Sequence, residues 1–180
     1  MKYLPVLIFA LTLFSCGSDQ AEHTDNHHQV DIDPEKRILE LEAIVYSDTA
    51  QVLHVPTAIE LASLYAQKAK QNSTDSTSAD LLFKAGELYM NAKHGNKAIM
   101  EFKEVHVRFP GSSQSAIARF LKGFVAETVL QDQVLAKRFY LEFMTAHPQH
   151  ELADDAEISI TMLGLSDQEL LQKLTNSKAS

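Results

Sequence analysis

The sequence predicts an all-α fold of antiparallel helix pairs stacked one after another. Three observations carry this. Two amphipathic helices succeed each other between Leu82 and Phe109, the same pair returns 37–38 residues later, and no stretch alternates as a strand would. The absence of Trp and the low count of 6 Gly in 180 residues suit a helical chain.

The central pair has the clearest pattern. Leu82, Ala85, Gly86 and Tyr89 stand at i, i+3, i+4 and i+7, one face of a helix. A polar break, Asn91–Asn96, follows. Ala98, Phe102, Val105 and Phe109 then stand at i, i+4, i+7 and i+11, and Pro110 ends that helix. Gly and Ala on the first helix allow close approach, and the aromatic on the second fills the space above them. Each such aromatic contributes roughly 1.5–3 kcal/mol when buried. Adding 38 to the second set gives Ala136, Tyr140, Phe143 and His147, with Pro148 in the place of Pro110. Adding 37 to Phe83 and Gly86 gives Phe120 and Gly123.

Upstream, Asp33-Pro34 supplies an N-cap and a proline at the first helical position. Ile38, Leu41 and Val45 mark a helix to about Tyr46, and a loop runs from Ser47 to His54. Pro56 opens the next helix, whose apolar face is Ala58, Leu61, Ala62, Tyr65, Ala66 and Ala69. Leu61 and Tyr65 lie 37 residues before Ala98 and Phe102, which makes this pair a divergent version of the same unit. Asn72–Asp80 is read as a polar turn.

Downstream, Ala156, Ile160 and Leu163 mark a further helix with Asp154 and Asp155 in its first turn and Gly164 after its end. Ser166 and Glu169 form a capping box for a last short helix through Leu170, Leu171 and Leu174, a cap for the end of the array. The helical domain is placed at 33–176, with about eight helices in all.

Residues 1–15 fall outside that domain. Lys2 is followed by an apolar run, Leu4–Phe14, too short to span a bilayer comfortably. The run ends in Leu13-Phe14-Ser15-Cys16, which resembles the lipobox of bacterial lipoproteins, with Leu at −3, Ser at −1 and Cys at +1. The resemblance implies a signal peptide at 1–15, cleavage before Cys16 and acylation of that cysteine. Several acyl chains at about 0.8 kcal/mol per buried CH₂ make a stable anchor. Residues 16–32 are polar and aperiodic and are read as a lipidated, disordered tether. The early acidic residues of this segment resemble the surface-export signal of Bacteroidota lipoproteins. Loss of Lys2 takes the net charge from −8 to 15 − 24 = −9.

Composition excludes several functions. A chain of net charge −8 has no electrostatic footprint for nucleic acid. A single cysteine allows no internal disulfide. Glycine-rich phosphate loops and His-Glu-x-x-His spacing are absent, so no catalytic activity, cofactor, metal site or small-molecule substrate is expected. His147 takes the slot of Phe109 and is read as a packed imidazole, off any helix face shared with His150.

The order Leu82, Gly86, Tyr89, Ala98, Phe102, Pro110 resembles the tetratricopeptide repeat at its own spacings. The resemblance implies a right-handed solenoid with a C-terminal capping helix. The second copy keeps Gly123, Ala136, Tyr140 and Pro148 but has Arg119 and Ala126 where the family prefers large apolar residues. Mapped onto this pattern, Phe83 and Phe120 fall at the fifth repeat position and Phe124 at the ninth, on the helix face that lines the family's concave groove. Glu87, Asn91, Glu127 and Thr128 share that surface. Phe83, Glu87, Phe120, Phe124 and Glu127 are therefore candidate protein-binding residues; the alternative is that the three phenylalanines are core.

The whole layout resembles two envelope families, the lipoprotein component of the β-barrel assembly machinery and the Tol-Pal-associated cell-division coordinator. Small tetratricopeptide-type lipoproteins of Bacteroidota are the most similar. The implied protein is an adaptor anchored at the outer membrane, facing the periplasm or exposed at the surface, with a protein or peptide partner. A second reading is a metal-binding or sensing lipoprotein that uses His23, His27 and His28 of the tether.

Overall fold

The computed structural model describes residues 33–47, 54–71, 77–166, 168–169 and 171–172. The expected signal segment 1–15, Cys16, the expected tether with His23, His27 and His28, residues 48–53 and 72–76, and Leu170 and Leu174 of the expected last helix lie outside them. The described residues form seven α-helices: α1 (Pro34–Val45), α2 (Val55–Gln71), α3 (Thr77–Asn91), α4 (Gly95–Arg108), α5 (Gln114–Thr128), α6 (Gln133–Ala146) and α7 (Ala153–Met162). No strand occurs among them. Every helix packs on the next in chain order, and α3 also lies against α5. This is an all-α helical-repeat fold.

The duplication extends to single hydrogen bonds. Phe109 ends α4 in a turn in which Ser112 N–H donates to Phe109 O (3.0 Å) and Ser115 N–H to Ser112 O (3.1 Å). After α6, His150 N–H donates to His147 O (3.1 Å) and Ala153 N–H to His150 O (2.8 Å), the same pattern 38 residues on. The turns inside the pairs match as well. Lys93 and Gln131, also 38 apart, take the left-handed conformation at φ 62° and 55°.

The buried faces follow the predicted periodicity. Ala58, Leu61, Ala62, Tyr65, Ala66 and Ala69 are the buried residues of α2. Phe102 and Tyr140 are fully buried at equivalent places in α4 and α6. Asp33 caps α1 by accepting from Glu35 N–H (3.1 Å). Gly164 follows α7 at φ +82°, a conformation that favours glycine. The capping box forms: Glu169 Oε2 accepts from Ser166 N–H (2.8 Å) and Ser166 Oγ from Glu169 N–H (3.4 Å).

The start of α3 corrects the sequence reading. Thr77–Asp80 belongs to the helix and not to a turn. Ser78 and Ala79 are buried there, so residues that look polar or small in sequence supply a contact surface instead. Gln114 at the start of α5 hydrogen-bonds Asp80, tying the first turns of α3 and α5 together.

Candidate functional site

The candidate site lies on the first helices of the two well-repeated pairs, α3 and α5. Phe83 sits one helical position after the core residue Leu82, and its ring centre is 5.6 Å from that of Phe102. Phe120, its equivalent on α5, is 5.4 Å from Tyr140 and 5.6 Å from Phe143. Both rings are half-buried: one side is core and the other open. The two sequence readings thus divide within each residue.

Phe124 is different. At 38% it is the most exposed phenylalanine among the described residues. Its equivalent on α3 is Glu87, which is half-buried and makes no hydrogen bond or ion pair among the described residues. Burial raises the Glu87 carboxyl above its ordinary range, with Lys84 one turn earlier opposing it. Equivalent positions on touching helices therefore present an exposed ring and an unpaired carboxylate.

Glu127 does not stand free. Its Oε2 accepts the Tyr140 hydroxyl at 2.6 Å, joining α5 to α6. Tyr65 makes the matching bond in the first pair, donating to Glu42 Oε1 at 2.5 Å. Burial, and then its carboxylate partner, raises each phenol above its ordinary value. In the central pair Phe102 replaces the tyrosine, and Met90 stands 37 residues before Glu127, so hydroxyl and carboxylate are missing together. Tyr46, just after α1, is near enough to Tyr65 and Glu87 to feel both, and burial raises its phenol above its ordinary value. The Lys84 ammonium lies 5.8 Å from the centre of the Tyr65 ring.

Glu42, Tyr46, Tyr65 and Lys84 extend the site toward α1 and α2, and sequence reasoning missed them. The signal was present: tyrosine stands where Phe102 stands, in both flanking pairs, each with a glutamate to accept its hydrogen bond. At the other end Glu127, Gln131, Gln133 and the turn at 162–165 line a cleft of about 650 Å³. Carboxylates, phenols, aromatic rings and amides suit binding of a chain segment.

No group of three or more potential metal-ligating side chains occurs among the described residues. No described helix is long and apolar enough to cross a membrane. Comparison with known protein families, curated proteins and solved structures finds no match to this chain.

Proposed function

We propose that the chain is a non-enzymatic, lipid-anchored adaptor of the cell envelope that holds a protein or peptide partner on the face formed by α3 and α5. One observation carries the reading: Glu87 and Phe124 occupy the same repeat position on touching helices, one unpaired and the other exposed. A segment with basic and apolar residues would meet both the carboxylate and the ring. The lipobox-like Leu13–Cys16 supports attachment to the outer membrane. A tether of about 16 residues keeps the domain within several tens of ångströms of the bilayer. Envelope assembly or coordination proteins are the partners within that reach.

The test is photocrosslinking in cells from position 124, with and without Glu87→Lys and Glu127→Lys together. Charge reversal should remove the captured partner or reverse the salt dependence of its capture. Unchanged capture by a folded variant would reject this face.

A further inference from the structure

The second copy of the repeat departs from the first at its core. Leu82 and Ala85 are fully buried in α3; 37 residues on, the same positions in α5 are Arg119 and Lys122. Lys122 stays buried, at 5% exposure. Its Nζ lies 3.3 Å from Glu142 Oε2 on α6 and 4.4 Å from the centre of the Phe139 ring. Arg138 approaches the same ring at 5.1 Å and the same carboxylate at 3.8 Å.

Helix α4 adds two more basic residues, Lys103 and His106. Lys103 and Arg119 lie near enough to disfavour protonation of both His106 and Lys122. His106 is 7% exposed, and neither ring nitrogen has a partner among the described residues. Arg119 also makes no hydrogen bond or ion pair among them. On α4, Glu104 is engaged by Arg108 at 3.7 Å. Lys122 and Arg138 thus share one carboxylate, Glu142, and Arg119 stands beside it unpaired, in a chain whose net charge is −8. Arg119, Arg138, Leu141, Glu142, Thr145 and Ala146 line a cavity of about 480 Å³ beside them.

Cations in place of core residues are expensive unless opposite charge reaches them. Glu142 supplies one negative charge beside three cations, Arg119, Lys122 and Arg138. We infer that this cavity binds a phosphate-type oxyanion, with Arg119 and Arg138 as its direct ligands and Lys122 as a buried charge behind them. The arginine fork matches two oxygens of such a group at once, and a multiply charged anion meets the remaining positive charge. The volume falls within the range of small-molecule sites and leaves room for a phosphodiester substituent. Inorganic phosphate and the phosphate of an anionic phospholipid headgroup share this chemistry.

The test uses the full chain in phosphate-free buffer at constant ionic strength. One arm titrates inorganic phosphate against chloride, following the melting temperature and the imidazole resonances of His106 and His147. The other compares the protein on phosphatidylcholine vesicles with and without phosphatidylglycerol. A saturable response to phosphate assigns a free ion; a response to phosphatidylglycerol alone assigns a lipid headgroup. Arg119→Leu restores the residue of the first copy, so it should fold, while its apparent affinity should fall by at least about tenfold. Absence of any response in both arms, or a folded Arg119→Leu variant that responds as fully as the parent, would overturn the inference.

Discussion

Gly86 lies directly against the ring of Phe102: a β-carbon at Gly86 would be 2.6 Å from Phe102 Cε1 and 2.8 Å from Cδ1. Gly123 stands in the same relation to Tyr140, at 2.6 Å from Cδ1. Both rings are fully buried, so neither can swing aside. Alanine in a helix interior gains up to about 1 kcal/mol over glycine, but overpacking costs about 1–3 kcal/mol. Gly86→Ala and Gly123→Ala should each lower the melting temperature. Gly111 has no atom within 4 Å of its added β-carbon and serves as the neutral control. A higher melting temperature for Gly86→Ala would contradict the packing argument.

Stability should depend on pH through His106. Burial first, then Lys122, Arg119 and Lys103, lower its pKa from 6.5 to about 4. Between those values the unfolded chain takes up a proton that the folded chain refuses, so stability falls as pH falls from 6.5 toward 4. The full effect is on the order of 3 kcal/mol. His147, lowered by burial and by Arg119, acts in the same direction. Glu101 and Glu87, both raised chiefly by burial, act oppositely, because their folded forms hold a proton at higher pH than the unfolded chain does. Urea unfolding at pH 7 and pH 5 should show a smaller acid loss in His106→Gln than in the parent, and a larger one in Glu101→Gln. An unchanged loss in His106→Gln would mean that the imidazole is solvated.

The repeat was legible because its signals are local. Gly86, Phe102 and their counterparts Gly123 and Tyr140 follow from spacing alone, since helical geometry converts a few residues of separation into a shared face. The start of α3 was not legible, because Thr77–Asp80 has a turn's composition and only the packed neighbours reveal Ser78 as core. Arg119 stood out in sequence as a departure from the pattern. Its convergence with Lys103, Lys122 and Arg138 did not, because those residues come from three helices and meet only once the pairs stack. Glu87 and Phe124 were found as surface residues, but that one is unpaired and the other the more exposed is a property of their neighbours.

The proposed anchor makes its own prediction. Cys16→Ser removes the only cysteine in the chain and with it the proposed site of acylation. One acyl chain binds a membrane marginally and several bind stably, so losing all of them should move the processed protein out of the membrane pellet or leave it unprocessed. Fractionation without detergent measures this directly. A processed Cys16→Ser protein that remains in the pellet would refute lipid anchoring.

The paired loss of hydroxyl and carboxylate in the central unit can be reversed. Tyr140 donates to Glu127 at 2.6 Å, whereas the equivalent residues of the central pair are Phe102 and Met90. Phe102→Tyr alone places a hydroxyl in the core without its acceptor, at a cost of about 1–3 kcal/mol. Met90→Glu alone places a carboxylate at a half-buried site without its donor and should also destabilise. Together they rebuild the bond seen in α5 and α6. The double variant should therefore be more stable than the sum of the single losses by at least about 1 kcal/mol. Urea unfolding of the parent, both single variants and the double variant closes the cycle. A coupling energy near zero would mean that the two units, although alike in spacing, hold their second helices at different depths.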